Sequence, residues 1–175
     1  MAADPDILIR PYRADDAAAV TEAAHESVPE VQPWMPWCHP ALTVDDSRAW
    51  LLLQVTAFER GEAYEFAIVS AAGRLIGGCG INQIDRENRR ANIGYWVRTS
   101  ATRRGAATAA LGLVRDFAFG RTNLVRLELV IACDNAASLR VAEKAGAWRE
   151  GVLRRRLLLH GVHHDATIFS IVRGM

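Results

Sequence analysis

The sequence predicts an α/β (α+β) fold in which a mixed central β-sheet carries helices on both faces. Apolar residues follow the two-residue period of strands in the middle and at the end of the chain, and helical apolar periods separate these stretches. The predicted order of elements is β-α-α-β-β-β-α-β-α-β-β. Because strand–helix–strand crossovers need parallel neighbours and hairpins need antiparallel ones, this order requires a mixed sheet.

Composition is that of an ordinary globular protein, and it argues against several classes of partner. The 175 residues, 50% of them hydrophobic, suffice for one domain over residues 1–175 with a substantial core. Lys and Arg number 21 against 20 Asp and Glu, a net charge of +1. We therefore expect no overall positive field that would make nucleic acid or a membrane surface a direct partner.

Cysteine usage and the N-terminus predict a cytoplasmic protein. The three cysteines, Cys38, Cys79 and Cys133, are odd in number and form no CxxC pair, as expected of reduced thiols. The N-terminal sequence has no apolar run of the length that a signal peptide or a membrane span needs.

The first third of the chain is predicted to be largely helical. Residues 7–10 form a short strand, and Asp15 and Asp16 suit the positive end of an alanine-rich helix that ends near Ser27. Residues 29–42 contain four prolines and are predicted to be a loop.

A second helix is predicted from its two ends. Thr43 and Asp46 have the spacing of a capping box, and Gly61 follows the last apolar position of the period. The buried face is predicted to consist of apolar residues at helical spacing, namely Ala49, Leu52, Leu53 and Ala57.

The middle of the chain changes to strand periodicity. Residues 64–69 and 74–84 flank the turn at 70–73 and predict a hairpin, and residues 91–97 form the next strand after the polar turn at 85–90. Residues 77, 78 and 80 are glycines, which in a strand indicate a bulge or a close packing contact.

The C-terminal part alternates strand and helix and then closes with a hairpin. Residues 125–132 are a strand, and residues 135–146 are a helix that Gly146 ends. Residues 154–160 and 166–172 form the closing hairpin around the turn at 161–165.

The stretch "TRRGAATAAL", residues 102–111, joins a strand to a helix. Small residues and the free N–H groups of a first helical turn can hold phosphate oxygens, and Arg103 and Arg104 can add charge-assisted contacts. An ordinary solvated loop fits the same spacing. The stretch is neither a GxxxxGK[ST] P-loop nor a GxGxxG fingerprint, which disfavours a nucleotide-phosphate binder. The following helix has an apolar stripe of Ala106, Ala110, Leu113, Val114 and Phe117.

Two segments together resemble the GNAT superfamily of acyl-CoA-dependent N-acetyltransferases. They are "IGYWVRTSATRRGAATAAL", residues 93–111, and "CDNAASLRVAEKAGAWREG", residues 133–151. With "VQPWMPW" at residues 31–37 they are similar to the RimJ/RimL branch, which includes acetyltransferases of ribosomal-protein N-termini. The resemblance covers nearly the whole chain. It implies a GNAT fold whose sheet splays between the fourth and fifth strands.

The resemblance also implies a binding site for acetyl-CoA or another acyl-CoA, without a metal. The pantetheine arm would pair with the backbone of the splayed strand at Trp96, Val97 and Arg98. Thr102 stands where the family's pyrophosphate loop usually has Gln or Arg, which removes one side-chain contact and keeps the backbone cradle. The residues implied to hold the pyrophosphate are Arg103, Arg104, Gly105, Ala106, Ala107 and Thr108.

The family's Asn-x-x-Ser pair corresponds to Asn135 and Ser138. Asn135 also suits a helix N-cap, and both roles can hold together. Ser138 is the predicted catalytic residue, a donor beside the CoA sulfur; without the resemblance it would be an ordinary helical serine. Many relatives carry Glu just before Ile-Gly-Tyr, where this chain has Asn92. The general base is therefore unassigned, and Glu128, His160 or a chain of waters are the candidates.

The sequence thus predicts an N-acyltransferase that moves an acetyl group to a primary amine, on a protein N-terminus or a small molecule, by direct attack. The alternative is a GNAT-fold module that binds acyl-CoA for regulation or assembly without turnover. This alternative stays open because Asn92 stands where many relatives carry Glu. A homodimer is expected from the family. The cluster of His160, His163, His164 and Asp165 lacks a converging ligand set, so no metal site is expected.

Overall fold

A computed structural model describes residues 6–174, and its centre is one seven-stranded sheet of order β1-β2-β3-β4-β5-β7-β6. All pairs are antiparallel except β4 and β5. The predicted mixed sheet is confirmed. The strands are β1 (Ile7–Pro11), β2 (Tyr64–Ser70), β3 (Leu75–Asp85), β4 (Arg90–Val97), β5 (Arg126–Ala132), β6 (Trp148–Leu159) and β7 (Val162–Val172).

Helices cover both faces of the sheet, as predicted. The helices are α1 (Ala17–Glu26), α2 (Val28–Val31), α3 (Val44–Arg60), α4 (Ala106–Arg121) and α5 (Ala136–Lys144). One face buries α4 and α5 against Phe66, Ile81 and Leu127, and the other buries α1 and α3 against Ala67 and Val69. Within residues 6–174, no helix is long and apolar enough to cross a membrane.

The sheet splays between β4 and β5, which confirms the expectation from the resemblance. The two strands are paired only where residues 90–92 meet residues 126–128. From Ile93 to Val97, β4 keeps β3 as its sole ladder partner within the described chain. The gap therefore exposes one edge of β4 within the sheet, and α4 begins just beyond it.

Three predicted boundaries differ from the structure. Residues 29–31 of the predicted loop belong to the helical turn α2, because Pro29 sits in a first turn, where its missing N–H costs no hydrogen bond. The closing hairpin is longer than predicted: β6 starts at Trp148, and residues 162–165 belong to β7. The chain turns within His160 and Gly161, both at positive φ, so residues 162–165 can already pair with β6.

The buried face of α3 was predicted incorrectly, and that of α4 was correct at Ala106, Ala110 and Val114 but not at Leu113. In α3, Leu52 and Leu53 are exposed, whereas Ser47 and Leu51 are buried. Ser47 is a polar member of the buried stripe and hydrogen-bonds Thr21 at 2.8 Å, which hides the stripe from an apolar pattern. In α4, Leu113 is exposed because the buried arc is centred towards Leu111, Val114 and Ala118.

Candidate active site

The loop before α4 presents positive charge and unpaired backbone donors to solvent. Arg103, Arg104 and Gly105 are exposed, and Gly105 lies at the helix N-cap with φ +83° and no side-chain cap. The N–H groups of residues 106–108 open the helix and have no partner inside it. The predicted cradle residues are thus consecutive at one helix start beside the gap in the sheet. This arrangement suits an anion.

Arg98 anchors the segment after β4 to helix α1. Its side chain is 1% exposed, and its guanidinium donates to Glu22 Oε1 at 2.7 Å and to Glu26 Oε2 at 2.9 Å. The Ser100 N–H donates to Glu26 Oε1 at 2.8 Å. The hydrogen bond from Arg98 lowers the pKa of Glu26 from 4.5 to about 2.

The backbone of Arg98 is already paired. Its N–H donates to the Ile76 carbonyl at 2.8 Å, and its carbonyl accepts from the Ala101 N–H at 2.9 Å. Arg98 is one of the three residues whose backbone is predicted to pair with the pantetheine arm, and its side chain points away from the gap, towards α1. Trp96 and Val97 lie on the splayed part of β4.

Replacing Arg98 with leucine is expected to destabilise the fold by about 3 kcal/mol, because it removes the buried guanidinium that pairs with the carboxylates of Glu22 and Glu26. Arg74→Leu is the matched control: Arg74 also reaches Glu22, at 3.3 Å, but from an exposed position, and should cost less than about 1 kcal/mol. Urea unfolding measures both. Since the pKa of Glu26 is lowered from 4.5 to about 2, the contribution of this pair is complete above pH 4.5 and is lost as the pH falls towards 2. Equal stability losses for the two variants would contradict this role.

Tyr95 connects β4 to α5 across the gap. Its hydroxyl lies 2.7 Å from Ser138 Oγ, and burial raises its pKa to about 12. Asn135 Oδ1 accepts from the Ser138 N–H at 3.1 Å, so the predicted N-cap is confirmed. The structure therefore brings Asn135 and Ser138 to the far side of the gap. Tyr95 was missed by the sequence analysis, although strand alternation puts it on the same face as Ile93 and Val97.

A cavity of about 440 Å³ lies on the α1 and α3 side of the same strands. Its walls include Trp37, Trp50 and Trp96, with Met35 beside them. It reaches Gly94, Tyr95 and Trp96 on the splayed part of β4, and the other lining residues include Tyr12, Asp46, Glu65, Gly78 and Asn82. Met35 and Trp37 belong to the segment between α2 and α3, so this segment forms part of the cavity wall.

Two glycines of β3 are required by close contacts at the cavity floor. A β-carbon at Gly78 would stand 2.1 Å from the Tyr12 hydroxyl, and one at Gly80 would stand 2.2 Å from Glu65 Oε2. The prediction of a close packing contact is confirmed. The missing side chains let the Tyr12 hydroxyl and the Glu65 carboxylate approach the backbone of β3 closely.

Glu65 is held by a chain of amides that crosses three strands. Asn82 Nδ2 donates to Glu65 Oε1 at 3.0 Å, and Asn92 Nδ2 donates to Asn82 Oδ1 at 2.9 Å. Burial raises the pKa of the Glu65 carboxyl above its ordinary value, against the effect of the Asn82 hydrogen bond. A single Glu in a strand carries no sequence signal of this kind, so Glu65 was missed.

The two side chains considered as bases lie outside the cavity and have other partners. Glu128 accepts from Arg126 Nε at 2.7 Å and from Arg90 Nη1 at 3.1 Å. His160 Nε2 lies 2.8 Å from the Gln32 carbonyl, on the exposed hairpin turn. Among residues 6–174, no group of three or more His, Cys, Asp or Glu side chains is arranged to hold a metal.

Comparisons with known proteins agree with this geometry. A model of the "Acetyltransferase (GNAT) domain" family matches residues 6–147. The chain is 35% identical over 132 residues to the probable N-acetyltransferase YjcK of Bacillus subtilis, covering 74% of this chain and 73% of YjcK. It is 29% identical over 135 residues to the ribosomal-protein-serine acetyltransferase of Escherichia coli, covering 77% and 74% of the two chains. Mycobacterium smegmatis RimJ in complex with CoA-disulfide has a TM-score of 0.87 at 28% identity, over 95% of this chain and 82% of RimJ. The chain therefore belongs to the GNAT acetyltransferase family, in its RimJ/RimL-like branch, and is an N-acetyltransferase.

Proposed function

We propose that the protein transfers the acetyl group of acetyl-CoA to a primary amine, on a protein N-terminus or a small molecule, by direct attack in a ternary complex. The observation that carries the proposal is the gap between β4 and β5. It opens beside the N-terminus of α4, whose first-turn N–H groups can bind an anion. The gap offers an unpaired strand edge to an extended arm, and the helix start offers N–H donors to phosphates.

In this proposal, residues 103–108 hold the pyrophosphate and Trp96 and Val97 offer backbone groups to the pantetheine arm. Backbone N–H groups of the splayed strand can hold the acetyl carbonyl oxygen as negative charge develops on it. Asn135 faces the arm from α5. Arg98 contributes by fixing the segment between β4 and the loop. The RimJ relative contains CoA-disulfide, which supports CoA as the ligand.

The test offers acetyl-CoA and a panel of amines to the protein. The reaction is measured by the free CoA released and by mass spectrometry of the product. The panel contains a serine-initiated peptide, spermidine and phenylalanine amide. We expect an acetylated product together with an equal amount of CoA. Tight acetyl-CoA binding with no product from any amine would instead support the alternative, a binding module without turnover.

The proposal also covers the domain organisation, the cellular location and the oligomeric state of the protein. We propose one domain over residues 1–175, because all seven strands join one sheet in the described part. The free cysteines support a cytoplasmic location. A homodimer is supported by the edge strand β6, where Trp148 is 76% exposed and Leu158 is 61% exposed.

We expect light scattering on a size-exclusion column to give the mass of two chains. Trp148→Arg should shift the protein towards one chain, because a charge would be buried in the proposed interface. Leu53→Arg, at another exposed apolar position, is the control. A monomer at all concentrations would contradict the homodimer.

A further inference from the structure

The cavity beside β4 contains one carboxylate placed to receive a proton. Glu65 Oε1 accepts from Asn82 Nδ2 at 3.0 Å, and within the described chain no other side chain donates to this carboxylate. Oε2 lies over Gly80, whose register neighbour in β4 is Gly94 on the splayed strand. The carboxylate and the splayed strand therefore face the same cavity, with only glycine between them on this face.

The amide chain favours the ionised form of Glu65. Asn82 donates an N–H to the carboxylate, and Asn92 donates to Asn82 Oδ1, which fixes the orientation of the Asn82 amide. The other titratable residues that line the cavity are Tyr12 after β1 and Asp46 in α3, together with Cys79 in β3 and Tyr95 in β4, whose side chains pack on the α4 and α5 face of the sheet. Glu65 is partly buried, and burial raises its pKa, which is the direction that suits a general base.

The cavity walls restrict the acceptor. Three tryptophans and a methionine supply apolar and aromatic surface, and a cation can also bind an aromatic face. Both carboxylates that line the cavity, Glu65 and Asp46, repel anions. None of the lining residues in the described part of the chain is Lys, Arg or His. An acceptor with a carboxylate beside its amine would therefore meet like charge without a compensating cation.

We infer that Glu65 takes the proton from the acceptor's ammonium group, in a cavity that admits amines with an apolar body and no neighbouring carboxylate. The inference rests on the proposed function. In the step, an N–H bond of the ammonium breaks and an O–H bond forms at Glu65. The freed lone pair forms the C–N bond, and the C–S bond breaks with its electron pair on sulfur. The acetylated nitrogen then releases its second proton to solvent, which leaves the neutral amide. Glu65 also loses its proton to solvent, and solvent protonates the sulfur.

Glu65→Gln tests the step, since it keeps the size and the Asn82 contact but accepts no proton. We expect kcat/KM for phenylalanine amide to fall by at least about tenfold above the pKa of Glu65, and the rise of activity with pH in the parent to disappear. Below that pKa the parent carboxyl is protonated as well, so the two rates should converge. Glu62→Gln, three residues earlier and exposed, is the matched control and should follow the parent.

Two further measurements make the outcome decisive. Infrared difference spectra of parent minus Glu65→Gln should show a carboxyl band that titrates above the ordinary glutamate range. Phenylalanine amide should be acetylated faster than phenylalanine, which differs from it by the carboxylate. The role of Glu65 is overturned if the parent acetylates the amide and the Glu65→Gln variant is equally active. It is also overturned if the variant is slower but its activity has the same pH profile as the parent. Equal or faster acetylation of phenylalanine overturns the acceptor class, and a parent that acetylates no amine overturns the proposed function and this inference with it.

Discussion

Removing the Ser138 hydroxyl by Ser138→Ala is expected to lower kcat by roughly ten- to several-hundredfold, with little change in acetyl-CoA affinity. Thiols have a pKa near 8.5, so a departing CoA thiolate gains from a hydrogen-bond donor as the C–S bond breaks. An interaction made mainly in the transition state lowers turnover more than it lowers ground-state binding.

The surroundings of Ser138 strengthen this expectation. If the Tyr95 O–H donates to Ser138 Oγ across their 2.7 Å contact, the Ser138 O–H is free to donate to a third atom. The helix cap does not depend on the hydroxyl, because Asn135 caps the Ser138 N–H. Alanine also has a higher helix propensity than serine. A slow Ser138→Ala variant would therefore not be slow through unfolding.

Tyr95→Phe separates the donor from its support. This variant removes the group that orients the serine hydroxyl, so we expect a smaller loss of kcat than for Ser138→Ala. The double variant should lose little beyond Ser138→Ala alone, since Tyr95 acts through Ser138. Stopped-flow or steady-state CoA release with one verified amine measures all three. A Ser138→Ala variant with the parent kcat would leave Ser138 as a packing residue.

Local signals explain why much of the fold was predictable. The capping box of Thr43 and Asp46 and the left-handed Gly61 act within one helical turn, so both ends of α3 agree with the prediction. The strand, loop and helix from Ile93 to Leu111 also form one contiguous stretch. Its place beside a gap in the sheet followed from the family resemblance rather than from periodicity.

Features made by distant residues were not predictable in the same way. The chain of Glu65, Asn82 and Asn92 joins three strands, and each residue alone is an ordinary polar strand position. The expectation for Arg98 concerned its backbone at the pantetheine arm, and nothing in the sequence indicated that its side chain meets Glu22 and Glu26, more than 70 residues earlier in the chain. A strand period shows that a side chain changes face at each step, but not which helix covers that face.

Replacing Gly105 with valine is expected to weaken acetyl-CoA binding by about a hundredfold, the effect of losing one or two charge-assisted hydrogen bonds. Gly105 has φ +83°, a left-handed conformation that a β-branched residue adopts only under strain. Valine would shift the loop and the first-turn N–H groups of residues 106–108, and its side chain would crowd an approaching phosphate. Calorimetry with acetyl-CoA measures the affinity.

Gly73→Val is the matched control for backbone strain. Gly73 has φ +79° in the turn between β2 and β3, and an added β-carbon there would meet no atom within 4 Å. Both variants should lose similar stability, of about 1–3 kcal/mol, because each forces a β-branched residue into the left-handed region. Only Gly105→Val should lose affinity, since only that glycine stands at the start of α4. If a folded Gly105→Val protein binds acetyl-CoA as tightly as Gly73→Val does, the pyrophosphate does not lie at this helix start.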